Sequence, residues 1–390
     1  MFDYVQYAKE LRHELHQIPE IGFDLPKTLT VVRRELDAMG ISYTEKYGKS
    51  SIVATINAGK PFTIGLRADM DALPVQEAGS NPYPSKHDGQ MHACGHDVHT
   101  ANLLAVARKL NDMRDQLRCT VKLLFTPAEE YITPGCKLMA DDGVMDDIDV
   151  AIACHVDPSS AVGTVGFIAG GSNANSTGLL AEFFGKSAHA NAQHKGVDAI
   201  RMGVEAYMAM EMILAKEVES KQPCVLNIGA FNAGHTNNVI CDYAKLFMTV
   251  RTWDDDLTDY MERRIREVCQ GVAQLSGGRA EVTRTKTLPY VYNNPVVIEK
   301  LRQIARKLLG ADKIGVAPRT MGGEDFAFFS RKKPCAMFRL GVANDTNPDT
   351  RCALHNDHFD ADESCFETGI AIFTSFVLEN QDGINFKETV

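Results

Sequence analysis

The 390-residue chain contains no apolar stretch approaching the roughly 18 residues that a membrane-spanning helix needs, which excludes a helical integral membrane protein. It has no internal repeats and no low-complexity segment. It has no surplus of positive charge either: Lys plus Arg is 41 against 51 for Asp plus Glu, a net charge of −10. Without a Lys/Arg cluster to offset that balance locally, recognition of nucleic acid through phosphates is not expected. The ten cysteines form no C-x-x-C pair; they are scattered from Cys94 to Cys365. A chain this long does not need disulfides to hold a core, so reduced thiols in a cytoplasm are expected, most of them acting as small buried hydrophobes. The segment from Met1 to Glu20 is amphipathic and charged and lacks the apolar centre of a signal peptide.

What is present is an ordinary globular balance, 44% hydrophobic and 24% charged. Tyr4, Ala8, Leu11, Leu15 and Ile18 recur at helical spacing before Pro19, and Leu29, Val32, Leu36 and Met39 do so before Gly40. Strands are expected at 51–56, 63–68, 121–125 and 149–154, with a helix at about 97–113. Thr126-Pro127 reads as a cap and first position of a further helix. Alternating strands and helices over the first 155 or so residues indicate an α/β sheet with helices on both faces. From Gly171 the order becomes strand 179–184, helix 197–214, strands 225–231 and 245–251, helix 257–273, strand 280–285. This is the β-α-β-β-α-β order of a ferredoxin-like unit. Gly170-Gly171 and Tyr292-Asn293-Asn294-Pro295 read as its linkers. The expected organisation is therefore a discontinuous domain, 1–170 with 295–390, interrupted by an inserted α+β domain at 171–294.

Metal-ligating side chains gather where the first strands end: Asp69-Met70-Asp71, then His92-Ala93-Cys94-Gly95-His96-Asp97-Val98-His99, then Glu129-Glu130, then Cys154-His155. Successive clusters are separated by about one strand-helix unit, so each returns to the same sheet edge, where ligands of open α/β sheets collect. A lone C-x-H is ordinarily a buried cysteine beside a surface histidine, and paired glutamates at a helix start ordinarily answer the helix dipole. Four such clusters at matching strand ends point instead to a site for a divalent transition ion, above all zinc.

The motifs L-R-H-E-L-H with P-E-I-G, R-A-D-M-D-A-L-P, M-H-A-C-G-H-D-V-H, P-A-E-E and M-G-G-E-D-F, in this order, resemble the amidohydrolase branch of the aminoacylase/carboxypeptidase G family of dinuclear metallopeptidases. That branch includes N-acyl-amino-acid amidohydrolases, hippurate hydrolase, indole-3-acetyl-amino-acid hydrolases and aminobenzoyl-glutamate hydrolase. The resemblance implies two divalent metal ions per subunit, zinc first, with manganese, cobalt or nickel as alternatives. Cys94 would bridge them, with His96, Glu130, His155 and His355 completing the ligand set and Glu129 as general base. It further implies that His189, usually from a partner subunit, reaches the developing oxyanion, that Asn238 and Arg251 hold the substrate carboxylate, and that the inserted domain is a lid through which a homodimer forms. Arg251 is equally an ion-pairing residue at a strand end. Asp71 and Asp97 are expected to hold ligand histidines or nearby backbone. Asp69 and His99 are expected to be structural, and His194 and His235 plain loop residues.

The expected activity is hydrolysis of an N-acyl amino acid. A dipeptidase or aminopeptidase with the same site is the nearest alternative, and a catalytically silent metal-binding protein a more distant one. Departures from the family pattern fall at Val98, at Asn191-Ala192-Gln193, at Ile240-Cys241-Asp242 and at Tyr131-Ile132-Thr133-Pro134-Gly135, where a glycine-rich stretch is usual. They touch no expected ligand and bear on the substrate. The segments 227–251 and 354–360 lean towards the aminobenzoyl-glutamate group.

Overall fold

The computed structural model of the protein describes residues 2–387. Helix α1 (Tyr4–His16) begins where the Asp3 carboxylate accepts the backbone N–H groups of Val5 and Gln6. Helix α2 (Pro26–Met39) starts on a proline and stops at Gly40. Then follow β1 (Ser42–Thr44), β2 (Ile52–Ile56), β3 (Thr63–Asp69), α3 (His96–Asp112), β4 (Thr120–Thr126), α4 (Gly135–Asp141), β5 (Val150–Ala161), β6 (Val165–Phe167) and β7 (Gly170–Gly171). The middle of the chain gives β8 (Ser176–Phe184), α5 (Ala199–Lys216), β9 (Cys224–Ala233), β10 (Tyr243–Thr252), α6 (Asp255–Leu275), β11 (Arg279–Leu288) and β12 (Tyr292–Asn293). The remainder is α7 (Pro295–Leu309), β13 (Ile314–Val316), α8 (Ala327–Ser330), β14 (Cys335–Ala343) and α9 (Cys365–Asn380). Among the described residues no helix is long and apolar enough to cross a membrane.

Two compact units result. One comprises Met1–Gly170, Tyr292–Pro318 and Asp325–Val390; the other comprises Gly171–Val291 with the loop Arg319–Glu324, which clusters there rather than with the segment that follows Pro295.

The first unit is built on an eight-stranded mixed sheet in the order β1-β2-β4-β3-β5-β14-β6-β13. Its four central strands, β4, β3, β5 and β14, are mutually parallel. Every residue of β3 and β4 is buried, the signature of strands covered on both faces. Helices α1, α3 and α9 pack on one another, and their apolar faces join the strands in one core that includes Leu11, Leu104, Ile152, Phe338 and Phe373. The carboxyl ends of β3, β4 and β5 thus open on one edge, as does the segment that follows β14.

The second unit is a four-stranded antiparallel sheet, β11-β8-β10-β9. Along β8 burial alternates, with Thr177, Leu179, Ala181 and Phe183 turned inward. These pack with Met202, Ala206 and Met210 of α5 and Met261 and Ile265 of α6 into a separate core. The strand order and the two helices make it ferredoxin-like.

One local expectation fails. No helix begins at Thr126-Pro127; the chain leaves β4 in an irregular loop and turns helical only at Gly135.

Candidate functional site

The loop after β4 is irregular because a carboxylate has taken the amides that a helix would use. Asp71, just beyond the end of β3, accepts the N–H of Glu129 on Oδ1 at 3.0 Å and that of Glu130 on Oδ2 at 3.1 Å. Ala128 adopts φ of +56°, a left-handed conformation costly for a residue with a Cβ. The two glutamate side chains are thereby fixed on a tight turn at the sheet edge, both half-buried.

Cys94 and His96 lie at the entry to α3. Between them Gly95 has φ of +79°, and a Cβ there would fall 2.5 Å from Cγ2 of Val156, so this close approach of α3 to β5 requires glycine. His96 bonds the Asp71 carbonyl through Nδ1 at 2.8 Å, leaving Nε2 buried with no hydrogen-bond partner. His155, on β5, bonds the Val156 carbonyl through Nδ1 at 2.8 Å and directs Nε2 to the Cys94 sulphur at 3.6 Å. His355 arrives from the segment after β14. It sits at φ of +68°, its N–H donates to the Ala93 carbonyl at 2.8 Å, and its Nε2 lies 2.9 Å from Oε1 of Glu130.

Candidate ligand atoms of Cys94, His96 and His155 lie within 4.8 Å of one another, and so do those of Cys94, Glu130 and His355 and those of His96, Glu129 and Glu130. Cys94 is common to two of these groups. Residues from Cys94 to His355 are thus brought to one point, and all six side chains singled out from the sequence (Cys94, His96, Glu129, Glu130, His155 and His355) meet there.

The electrostatics of the cluster are set by burial and by Asp69. Burial pushes the Cys94 thiol well above its ordinary value and the His155 imidazole well below. Burial opposes a charge on His96 too, but the Asp69 carboxylate, the hydrogen bond to Asp71 and the Cys94 sulphur together outweigh it and raise that histidine. Burial works against a charge on Glu130, but its contacts with His355, His96 and Cys94 together outweigh it and lower that carboxyl, and the contact with Glu130 raises His355. A thiol so disfavoured as an anion becomes a thiolate only beside strong positive charge. Together with the unpartnered His96 nitrogen, this donor set of sulphur, imidazole and carboxylate fits a divalent transition ion.

Two supporting assignments turn out differently. Asp97 holds neither a cluster histidine nor its backbone: it pairs with Arg12 Nε at 3.2 Å and with His16 Nδ1 at 2.8 Å, since the first turn of α3 directs it towards α1 rather than the sheet edge. Asp69 and His99, by contrast, reach the cluster itself, with Asp69, His96 and His99 forming a further close group. Asp69 also meets Arg67 Nη1 at 2.6 Å. His99 is held by two partners on separate strands, the Asp69 carboxylate and the Val156 backbone amide, a pairing that its place in the sequence cluster does not reveal. Arg67 in turn pairs with Asp325 of the M-G-G-E-D-F motif at 2.6 Å, and Asp325 accepts the Cys136 N–H at 2.8 Å.

In the second unit His189 is exposed and bridges to Val239, and the Ala190 N–H donates to the Asn238 carbonyl at 3.0 Å, so His189 and Asn238 share one corner. His189 Nδ1 accepts the Asn191 N–H at 3.2 Å, which places its proton on Nε2. Arg251 is near the far end of β10 and donates Nη1 to the Met321 carbonyl at 2.6 Å. At about 3.3 Å per residue, the length of β10 keeps it well apart from Asn238 within the subunit. His235 is an exposed loop residue, whereas His194, also exposed, lies in a short 3-10 helical segment (Ala190–Lys195) rather than a loop.

Residues 65–379 match the model of peptidase family M20/M25/M40. Over 368 residues the chain is 33% identical to hippurate hydrolase of Campylobacter jejuni, covering 93% of this chain and 95% of the relative. It is 35% identical to N-acetyl-L-cysteine deacetylase of Bacillus subtilis, covering 91% and 83%. Among solved structures, a dinuclear metal binding peptidase of the M20 family from Bacillus subtilis superimposes with a TM-score of 0.85 at 29% identity, over 98% of this chain and 99% of that one.

Proposed function

From the premise that the chain belongs to peptidase family M20/M25/M40, and so is a hydrolase acting on amide bonds, we propose that it cleaves N-acyl amino acids to a carboxylic acid and a free amino acid. The observation that carries this reading is the meeting of Cys94, His96, Glu130, His155 and His355 around a common point with Glu129 beside it. The relatives named hippurate hydrolase and N-acetyl-L-cysteine deacetylase support the substrate class.

Cys94, His96, Glu130, His155 and His355 would hold two divalent ions, with zinc as the first choice for this donor set. Such ions supply Lewis-acid polarisation of the amide carbonyl and lower the pKa of a water molecule. The chain's own residues do the rest. Glu129 takes a proton from the attacking water on a carboxylate oxygen and delivers it to the amide nitrogen as the C–N bond breaks. The Asp71 carboxylate keeps that glutamate's backbone fixed while the proton moves. His189 offers its Nε2–H to the developing oxyanion, a donor of a kind worth about 2.7–4 kcal/mol, and Arg251 and Asn238 receive the substrate carboxylate.

We place His189 and Asn238 in the site of a partner subunit, in a homodimer formed through the second unit. Two features support this. Strand β9 is an open sheet edge, and α5 carries an exposed apolar stripe, Ile200, Val204, Met208 and Met212, besides its buried face. All ten cysteines are free, which supports a reducing, cytoplasmic setting.

The test is hydrolysis of N-acetyl-, N-benzoyl- and aminobenzoyl-amino acids and of dipeptides by wild type and Glu129→Gln, each with its metal content measured. Cleavage of acyl-amino acids by wild type, and loss of it in a variant that retains its metal, is the expected result. Cleavage of dipeptides alone would move the reading to a peptidase. Full activity in Glu129→Gln would remove that residue as the base.

A further inference from the structure

Beside the two glutamates the chain exposes apolar side chains where the polar rim of a hydrolytic site offers no packing reason for them. Tyr131 and Ile132 directly follow Glu130, and they are 47% and 74% exposed. Tyr131 is not loose. Its ring covers Gly22, which has φ of +63° and where a Cβ would sit 3.1 Å from Tyr131 Cδ2, and it meets Phe23 edge-on with centroids 6.2 Å apart. Lys49 lies 5.7 Å over the Phe23 ring.

The Gly22–Phe23 segment is itself tied to the catalytic corner. Ile21 bridges to Ala72, and the Ala72 N–H donates to the Glu20 carbonyl at 2.7 Å, one residue beyond the Asp71 that holds the amides of Glu129 and Glu130. The segment carrying Phe23 is therefore tied to Ala72 and the loop carrying Tyr131 and Ile132 to the adjacent Asp71, with Tyr131 one Cα step of about 3.8 Å from Glu130. Single exposed apolar residues need no explanation; a braced aromatic pair with an adjoining isoleucine at such a place does.

We propose that Phe23, Tyr131 and Ile132 form the wall of an acyl subsite, and that the preferred substrates carry a ring-sized apolar acyl group in place of acetyl. This rests on the reading of the chain as an N-acyl-amino-acid hydrolase. Of the two halves of such a substrate, one always bears a carboxylate and calls for cations. The other is uncharged at the carbonyl and free to be wholly apolar. A wall of two aromatic rings and an isoleucine, with its one cation stacked on an aromatic face, is matched to the uncharged half. A flat acyl ring packs edge-on or offset against Tyr131 and displaces water from Ile132. Tyr131 and Ile132 are specificity-determining residues in this scheme and take no part in proton transfer.

The test is a matrix of acyl groups (acetyl, butanoyl, benzoyl, phenylacetyl) against amino acids (glycine, alanine, phenylalanine, glutamate), with wild type, Tyr131→Ala and Ile132→Gly. Both side chains are exposed, 47% and 74%, and the metal content of each variant is measured alongside its kinetics. The expected result is a benzoyl-over-acetyl preference in kcat/KM that falls by about tenfold or more in each variant, the scale on which hydrophobic pockets discriminate. Acetyl substrates, which offer no ring to the wall, should lose less in kcat/KM than benzoyl substrates in each variant. An unchanged acyl ratio overturns the proposal. So does a change confined to the amino-acid axis, which would put the wall against the leaving half, or conversion of a dimer to monomer, which would make it a subunit contact. Saturation transfer from the protein to the ring protons of N-benzoylglycine is measured in parallel on Glu129→Gln. If wild type cleaves no acyl-amino acid, transfer that disappears in Tyr131→Ala retains the wall and rejects the hydrolase reading, and absence of transfer rejects both.

Discussion

His99 stands between Asp69 and Val156, with Nδ1 2.6 Å from Asp69 Oδ1 and Nε2 accepting the Val156 N–H at 3.0 Å. A backbone N–H can only donate, so Nε2 is the bare nitrogen and the proton sits on Nδ1, facing the carboxylate. The ring also stacks on His96, centroids 5.5 Å apart, and meets His155 nearly edge-on at 5.0 Å. It thereby locks the end of β3, the first turn of α3 and the residue after His155 into one register.

His99→Ala should loosen metal binding by about 10–100-fold, as removal of outer-shell partners does elsewhere, while leaving secondary structure unchanged. Competition with a chromophoric chelator measures this directly. Affinity within a factor of two of wild type would show that the backbone alone sets the position of His155.

Stability should fall on the alkaline side through His16. Burial works against a charge on this ring, but its hydrogen bonds to Asp97 and Glu77 outweigh burial and raise its pKa to about 9. A value above that of the unfolded chain means that the contribution is complete below about pH 6.5 and is lost as the pH rises through 9. The difference amounts to roughly 3 kcal/mol at most. Urea midpoints at pH 6, 7.5 and 9.5 should decline for wild type and decline less for His16→Asn. Parallel slopes would disprove the assignment.

Asp325→Asn should destabilise the first unit by about 3–5 kcal/mol, the cost of leaving a buried charge without its partner. The exposed fraction of both side chains is close to nil, so solvent cannot substitute for the lost carboxylate on Arg67. The remaining Asp69 contact favours the lower end of that range. A loss below about 1 kcal/mol in chemical denaturation would show that Asp69 alone satisfies the guanidinium.

If His189 serves the neighbouring subunit, two dead proteins should restore each other. Equal mixing of Glu129→Gln and His189→Ala subunits, with exchange, gives half heterodimers carrying one intact site each, or about a quarter of wild-type activity. A mixture as inactive as its components would place His189 in the site of its own chain. Val204→Lys with Met208→Lys, on the exposed stripe of α5, should give monomers by sedimentation.

The alternating elements of the first 155 residues, the split unit after Gly171 and the strand-end ligand clusters were legible because each leaves a periodic or positional trace. Past the second linker, α7 opens with Pro295 in its first turn and the Asn294 side chain accepting from Val296 and Val297. Thr126-Pro127 misled for a specific reason. The local signal for a helix was genuine, but Asp71, far away in sequence, captures the amides of Glu129 and Glu130 and bends the chain through Ala128 instead. Asp97 and His99 show the same limit. Two residues apart on one helix turn, they face different neighbours, and only the packing of α1, β3 and β5 around α3 decides which. The three-residue strands β6 and β13 are too short to carry a pattern; β6 owes its form to pairing with β14, and β13 to pairing with β6.

The position of β14 has a consequence for how the molecule comes into being. In the sheet it lies between β5 and β6, which are joined by only a few residues, yet it is made after the whole inserted unit. A growing polypeptide can complete β1 to β5 early, but the gap beside β5 waits for a strand that emerges some 170 residues later, and His355 follows that strand. The candidate site is thus completed only when His355 emerges, with helix α9 still to follow. Until then an unpaired strand edge, lined with the donors of an incomplete centre, stands open to misplaced partners.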